Sequence, residues 1–365
     1  MRGALLAGVL WLAVGTAVAD EVRRGKVLFD QSWQAETGAD PIGPLFNARA
    51  CAECHPGGEA GRPDGPALVL RTPGDGPFGR QIQPFALPGV PPEPVPPRSW
   101  TSVRVAGGLL SAPHWQVDRH RLAGRLAPSL RGLGLLARIP QSTIARRADP
   151  EDRDGDGISG RLGPGRFGLK AEHATIEAAI EAALTFDLGL ATEARPLPAG
   201  DCSAAQPRCL HAAGAGTPVA PRTLARLTTF VGALRPLPAA TDVAGGASLL
   251  ATIGCTACHA GPYHVPADPG VVGVPFEVIA PYTDLLLHDL GPALADPFPS
   301  ADAAEWRTAP LWGLRRRAAL LHDGRAATPR EAILWHGGEA ARSRAAFLAL
   351  DQAAQTVLLD YLAGL

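Results

Sequence analysis

Apolar positions along the chain recur mostly at helical spacing. Ile176, Ile180 and Leu184 share one face of a segment covering 175–187, which predicts an amphipathic helix. Leu348, Val357, Leu358 and Tyr361 mark a closing helix. Asp20 is placed to cap a helix carrying Val22, Val27 and Phe29, and Asp242 to cap another through Leu249, Leu250 and Ile253. Thr328-Pro329-Arg330-Glu331 is a capping box with proline at the first helical position, opening a helix with Ile333 and Leu334. No period-2 alternation is long enough to propose a sheet. The pattern predicts a mainly α chain of two similarly built halves.

Proline and glycine mark the divisions. Residues 194–221 read as a Pro/Gly/Ala-rich linker, and the Pro-rich stretch 84–99 cannot be a regular helix. The expected organisation is a signal peptide at 1–19, an N-terminal domain at 20–200, a linker at 201–220 and a C-terminal domain at 221–365. The signal rests on Arg2, an apolar run from Ala4 to Val18, and the small residues Ala17, Val18 and Ala19 before a cleavage point. A membrane anchor fits less well, because the run is short and ends in a cleavable pattern. No later stretch reaches ~18 uninterrupted apolar residues, so the mature chain is expected to be periplasmic, without a membrane span.

Composition narrows the classes. With 46% hydrophobic and 19% charged residues, disorder throughout is excluded. Basic and acidic side chains number 34 and 35, for a net charge of −1, which argues against nucleic acid as a partner. The 42 glycines and 36 prolines predict long loops between short elements.

Four of the 6 cysteines lie in two copies of one pattern, Cys51-Ala-Glu-Cys54-His55 and Cys255-Thr-Ala-Cys258-His259. Haem presents two vinyl groups that two thiols at this spacing can reach, and the adjacent histidine then faces the iron. Zinc is the main rival for Cys-x-x-Cys, but it gives no reason for a histidine directly after the second cysteine twice. Two covalent c-type haems are expected. Cys202 and Cys209 sit in a polar loop without a histidine and read as a local disulfide in an oxidising compartment.

Each haem iron accepts a second axial ligand, commonly His, Met or Tyr. Met1 is the sole methionine and belongs to the signal, so a His/Met haem is excluded. His336 ends the capped helix and precedes Gly337-Gly338, where a flat macrocycle can approach; the plainer reading is a histidine interacting with the helix dipole. His288 and His322 each precede an aspartate, where a ligand, a propionate partner and a satisfied core histidine are all open readings, the last taken first. Asp152, Asp154 and Asp156 alternate ahead of Gly157, matching the first half of a calcium loop. Position twelve is Gly163 rather than Glu, so a plain polar turn is the alternative.

The text around both motifs resembles the di-haem oxidoreductase family related to bacterial cytochrome c peroxidases and MauG. The resemblance rests on GPLFNARACAECH, RLAPSLRGLGLL, DRDGDGISGR, GRFGLKAEHATIEAA, PYTDLLLHDLGPALAD, EWRTAPLWGL and LLHDGRAATPREAILWHGGEA. It implies two cytochrome c-like haem domains packed together, with electrons passing between the haems. In the wider superfamily the residue at this distance after the HDG segment is the distal ligand of the second haem, which makes His336 that ligand. The first haem is then the reactive candidate. Relatives often read GLGLLEAI where this chain has GLGLLARI, so the acid expected for peroxide cleavage is replaced by Ala137; His114 and His120 are substitutes to consider. Trp100, Trp115 or Trp335 would bridge the haems, against the plainer role of core packing. The expected function is a peroxidase-like di-haem oxidoreductase using peroxide or another small oxidant and a periplasmic electron donor or acceptor protein. A non-enzymatic electron carrier, or MauG-like oxidation of a partner protein, is the alternative.

Overall fold

The computed structural model describes residues 17–33, 43–74, 76–196, 199–212, 218–240, 243–267 and 276–365. The helices are α1 (17–30), α2 (Cys51–Cys54), α3 (Leu133–Ala137), α4 (Gln141–Ala145), α5 (Ile176–Phe186), α6 (Pro207–Ala212), α7 (Pro221–Ala233), α8 (Gly246–Thr252), α9 (Pro329–Trp335), α10 (Ala341–Ala349) and α11 (Gln352–Gly364). The strands are β1 (Leu45–Phe46), β2 (Leu68–Arg71), β3 (Phe85–Ala86), β4 (Ser99–Val105), β5 (Gly108–Val117), β6 (His120–Leu126), β7 (Tyr263–Pro266), β8 (Phe276–Ile279), β9 (Leu287–Asp289) and β10 (Glu305–Arg307).

Helix accounts for 33% of the structure and strand for 17%, so the expectation of a mainly α chain built from two cytochrome c-like domains is overturned. The largest sheet is antiparallel, in the order β2-β6-β5-β4. Its strands lack a clean alternation because β4 is largely exposed on both faces and β5 alternates in burial only over its second half. The buried face of this sheet carries Leu70, Trp115, Val117 and Leu122 over Ile82. Each fully buried aliphatic side chain of this kind contributes roughly 1.5–3 kcal/mol.

Several helices follow from local sequence. Thr175 caps α5 by accepting from the Ala178 amide, and the buried face carries Ile176 and Leu184. At α9 Thr328 caps by accepting from the Glu331 amide, while Glu331 reaches one residue past the cap and accepts from the Ala327 amide at 2.7 Å. Asp351 caps α11. Asp20 does not cap: the helix is already running at residue 17, and Asp20 instead pairs with Arg23 and Arg24. Asp242 lies outside the described residues, and α8 starts behind Gly245 at φ 84°.

Helix α1 packs on α7, with the Phe29 and Phe230 rings 5.1 Å apart. Gly25 makes this approach feasible, since a Cβ there would come within 2.2 Å of the Arg226 carbonyl. One core cluster draws on Phe29, Leu136, Leu184, Leu227, Leu285 and Trp312, from both sides of 201–220. A second gathers α8, α9, α10 and α11 around Leu250, Trp335, Phe347 and Leu358. Cys202 and Cys209 are joined by a disulfide with a Cα–Cα distance of 5.8 Å.

Candidate haem-binding site

Both Cys-x-x-Cys-His motifs open on one continuous cavity of about 510 Å³, lined by Cys51, Cys54 and His55 and by Cys255, Cys258, His259 and His336. Sites for cofactors commonly span about 300–1,000 Å³ and are mostly apolar. Ile176, Ile180 and Leu184 of α5 and Leu227 of α7 contribute apolar wall, as do Leu250 of α8 and Leu358 of α11. The apolar faces of these helices therefore serve the cavity as well as the cores.

Three histidines are oriented by the same device. His55 Nδ1 lies 2.9 Å from the Pro128 carbonyl, and His259 Nδ1 lies 2.9 Å from the Tyr282 carbonyl. His336 Nδ1 lies 2.6 Å from the Ala332 carbonyl, one turn back on α9. A carbonyl only accepts, so Nδ1 carries the proton and Nε2 keeps its lone pair, the tautomer a metal requires. Burial holds His55 and His259 neutral by pulling each down to about 4, and it lowers His336 in the same direction.

The rings of His259 and His336 have centroids 6.4 Å apart and planes inclined by 46°. Two imidazoles ligating one ion from opposite sides, with metal–nitrogen distances of about 2.0–2.1 Å, place their centroids roughly 6.3 Å apart. The pair therefore fits an iron between them. Among the described residues no aromatic or imidazole ring packs against His55. The cysteines fit thioether attachment: burial pushes the thiols of Cys51 and Cys54 up to about 12 and that of Cys255 up to about 11. Burial thus favours the thiol form at these three positions.

Other histidines divide by position. His288 also lines the cavity, but both its nitrogens are taken, Nε2 by Asp284 at 2.9 Å and Nδ1 by Glu339 at 2.6 Å. Burial alone would lower its pKa, but hydrogen bonds to Asp284, Cys258 and Glu339 outweigh that and raise it to about 12. It is an imidazolium between two carboxylates and not a ligand. His322 stacks on Trp306 with centroids 3.7 Å apart, and burial pulls it down to about 3. His114 and His120 sit on β5 and β6 and do not line the cavity, whereas His173 does.

Ala137 is exposed at the end of α3, and its carbonyl accepts from Arg166 at 3.2 Å. Ala137 is not among the residues that line the cavity. Of the tryptophans considered as bridges, two take the plainer packing role. Trp100 is exposed on β4, Trp115 is buried in the sheet and Trp335 in the second core. Trp306 and Trp312 are the tryptophans that line the cavity. Their sequence signal was their place in EWRTAPLWGL, which by itself does not tell a cavity wall from a core. The carboxylates of Asp152, Asp154 and Asp156 each bring an oxygen within 4.8 Å of the others, while also accepting from the loop amides of Asp156, Gly157 and Ile158.

No curated protein matches the chain. It is similar to a solved structure of hydrazine synthase from Kuenenia stuttgartiensis, pressurised with xenon, at 15% identity and a TM-score of 0.46 over 95% of this chain and 87% of that one. Residues 114–365 match the family described as "Di-haem oxidoreductase, putative peroxidase". The matched residues include the second motif and His336, while the first motif at 51–55 precedes them. The chain belongs to the di-haem oxidoreductase family.

Proposed function

We propose that this chain is a periplasmic, peroxidase-like oxidoreductase carrying two covalent c-type haems, one on Cys51, Cys54 and His55 and one on Cys255, Cys258 and His259. The observation that carries the reading is the unequal surroundings of the two proximal histidines: the His336 ring lies 6.4 Å from that of His259, while among the described residues no ring packs against His55. Bound haem supplies one-electron transfer, and peroxide cleavage where a coordination position is open.

The residues divide the work. His259 and His336 would together hold the second haem, which would suit this end to passing electrons from a periplasmic donor protein. His55 would hold the first haem, where a small oxidant would bind. Asp187 lines that end, accepts from Gln81 Nε2 at 2.8 Å, and has its carboxyl pKa raised by burial. It can hold and release a proton where Ala137 cannot. The disulfide supports an oxidising compartment. Among the described residues no helix is long and apolar enough to cross a membrane.

Mass spectrometry and peroxide turnover test this together. Protein matured with haem is expected to gain two haems, with C51A/C54A and C255A/C258A each losing a different one. The loaded wild type is expected to consume peroxide in the presence of a reduced donor. Two haems without turnover in the oxidised or half-reduced state would refute the peroxidase reading and leave an electron carrier.

A further inference from the structure

The cavity wall between the two motifs holds two positive charges that, among the described residues, are neutralised by no ion pair. Arg307 at the end of β10 and Arg317 just after the short turn Leu314–Arg316 both line the cavity and are half-buried. Arg307 donates to the carbonyls of Gly168 at 2.7 Å and Thr308 at 3.3 Å. Arg317 donates to the carbonyls of Pro310 at 2.6 Å and Trp312 at 3.4 Å, and its Nε is buried with no partner. Among the described residues neither forms an ion pair, whereas Arg125, Arg161 and Arg325 pair with Asp296, Glu305 and Asp323.

The two guanidiniums are close enough to repel, and burial with that repulsion pulls Arg317 down to about 10. The acids that act on them from farther off are Glu172, exposed and accepting from the Lys170 amide at 3.0 Å, Glu59, paired with Arg131 at 2.6 Å, and Asp284, held by His288 at 2.9 Å. Glu59 lies just beyond the first motif, and the Asp284 amide donates to the Cys258 carbonyl of the second at 2.9 Å. The arginines therefore stand between the two ends. Buried, uncompensated cations are strongly disfavoured, and the planar guanidinium fork matches a carboxylate.

We infer that Arg307 and Arg317 together form a carboxylate-binding subsite of the cavity, and that haem propionates are what it holds. The inference rests on the two-haem reading above. A cation beside haem favours the form with one more electron, so the pair raises the reduction potential of the haem it holds.

Redox titration of loaded wild type, R307Q, R317Q and R317K tests it, with haem content measured by mass on the same samples. Each glutamine variant is expected to lower one midpoint by about a tenfold change in the one-electron equilibrium, or 59 mV, and R317K to recover most of it. R166Q serves as the control, since Arg166 donates to the carbonyls of Leu136, Ala137 and Ile139 away from the cavity. Loaded glutamine variants with wild-type potentials would overturn the inference, and protein without haem in the wild type would instead overturn the two-haem reading. If the glutamine variants do not accumulate, R307K and R317K decide through the propionate-bending band of the resonance Raman spectrum: a moved band supports the subsite, and an unmoved one overturns it. Added formate is expected to leave the wild-type potentials unchanged. A formate-dependent shift that R317Q abolishes would assign the subsite to a free carboxylate and refute the propionates as its occupant.

Discussion

Replacing His288 by leucine removes the cation between the buried carboxylate of Asp284 and the half-buried one of Glu339. Asp284 and His288 are 1% and 3% exposed, and Glu339 also accepts from Ser159 Oγ at 2.9 Å and the Asp289 amide at 3.1 Å. Loss of one partner from a buried ionic group costs about 3–5 kcal/mol, because the remaining charge is stranded. With an unfolding entropy of about 2.1 cal/mol/K per residue, a chain of this length loses roughly 4–7 °C in Tm. Adding Glu339→Gln removes one stranded charge, so the double variant is expected to melt above His288→Leu alone.

The pH dependence has a definite sign. His288 is raised above its ordinary 6.5, so its contribution is complete below pH 6.5 and is lost as pH rises toward about 12. Burial raises the Glu339 carboxyl, but its hydrogen bond to His288 outweighs this and holds it below the ordinary 4.5, so its share is lost as pH falls below 4.5. The proposed thioether attachment at Cys258 would remove its part in raising His288 and leave both carboxylates in place. The stability gap between wild type and His288→Leu is therefore expected to be widest between pH 4.5 and 6.5. Differential scanning calorimetry across this range checks it. A gap below about 1 kcal/mol, or a double variant no more stable than the single, would refute the ionic reading of this cluster.

Three further outcomes follow from the geometry. His336→Ala is expected to convert the low-spin signal of the second haem to high-spin or ligand-exchangeable, read by optical spectroscopy with added imidazole. Gly132→Ala puts a Cβ 2.2 Å from Trp312 at φ 85°, and is expected to destabilise the fold by about 2–4 kcal/mol from backbone strain and overpacking, measured by denaturant unfolding. Replacing Cys202 and Cys209 by serine opens a short loop and is expected to cost about 2–3 kcal/mol by the same measurement.

Much of the site was legible because its chemistry is written locally. The two attachment motifs, the capping box that ends at His336, and the pairing of Cys202 with Cys209 each depend on residues a few positions apart. Asp20 misled, since a good capping residue also works inside a first turn as an ion-pair partner for Arg23 and Arg24. The sheet was illegible because β4 has no buried face for alternation to reveal. The wall residues Trp306, Trp312, Arg307 and Arg317 acquire their roles only when distant segments meet, as when β10 pairs with β9 and sets Trp306 opposite His288. A histidine's role was likewise hidden in its partners: His288 and His336 look alike in sequence, yet one is saturated by carboxylates and the other keeps Nε2 free.

Low-temperature EPR of the fully oxidised, haem-loaded protein tests the central claim most directly. Unequal sites predict one low-spin ferric signal, from the haem held by His259 and His336, and one high-spin signal, from the haem on His55. Two low-spin signals, or a low-spin signal of the second haem that survives His336→Ala, would contradict it.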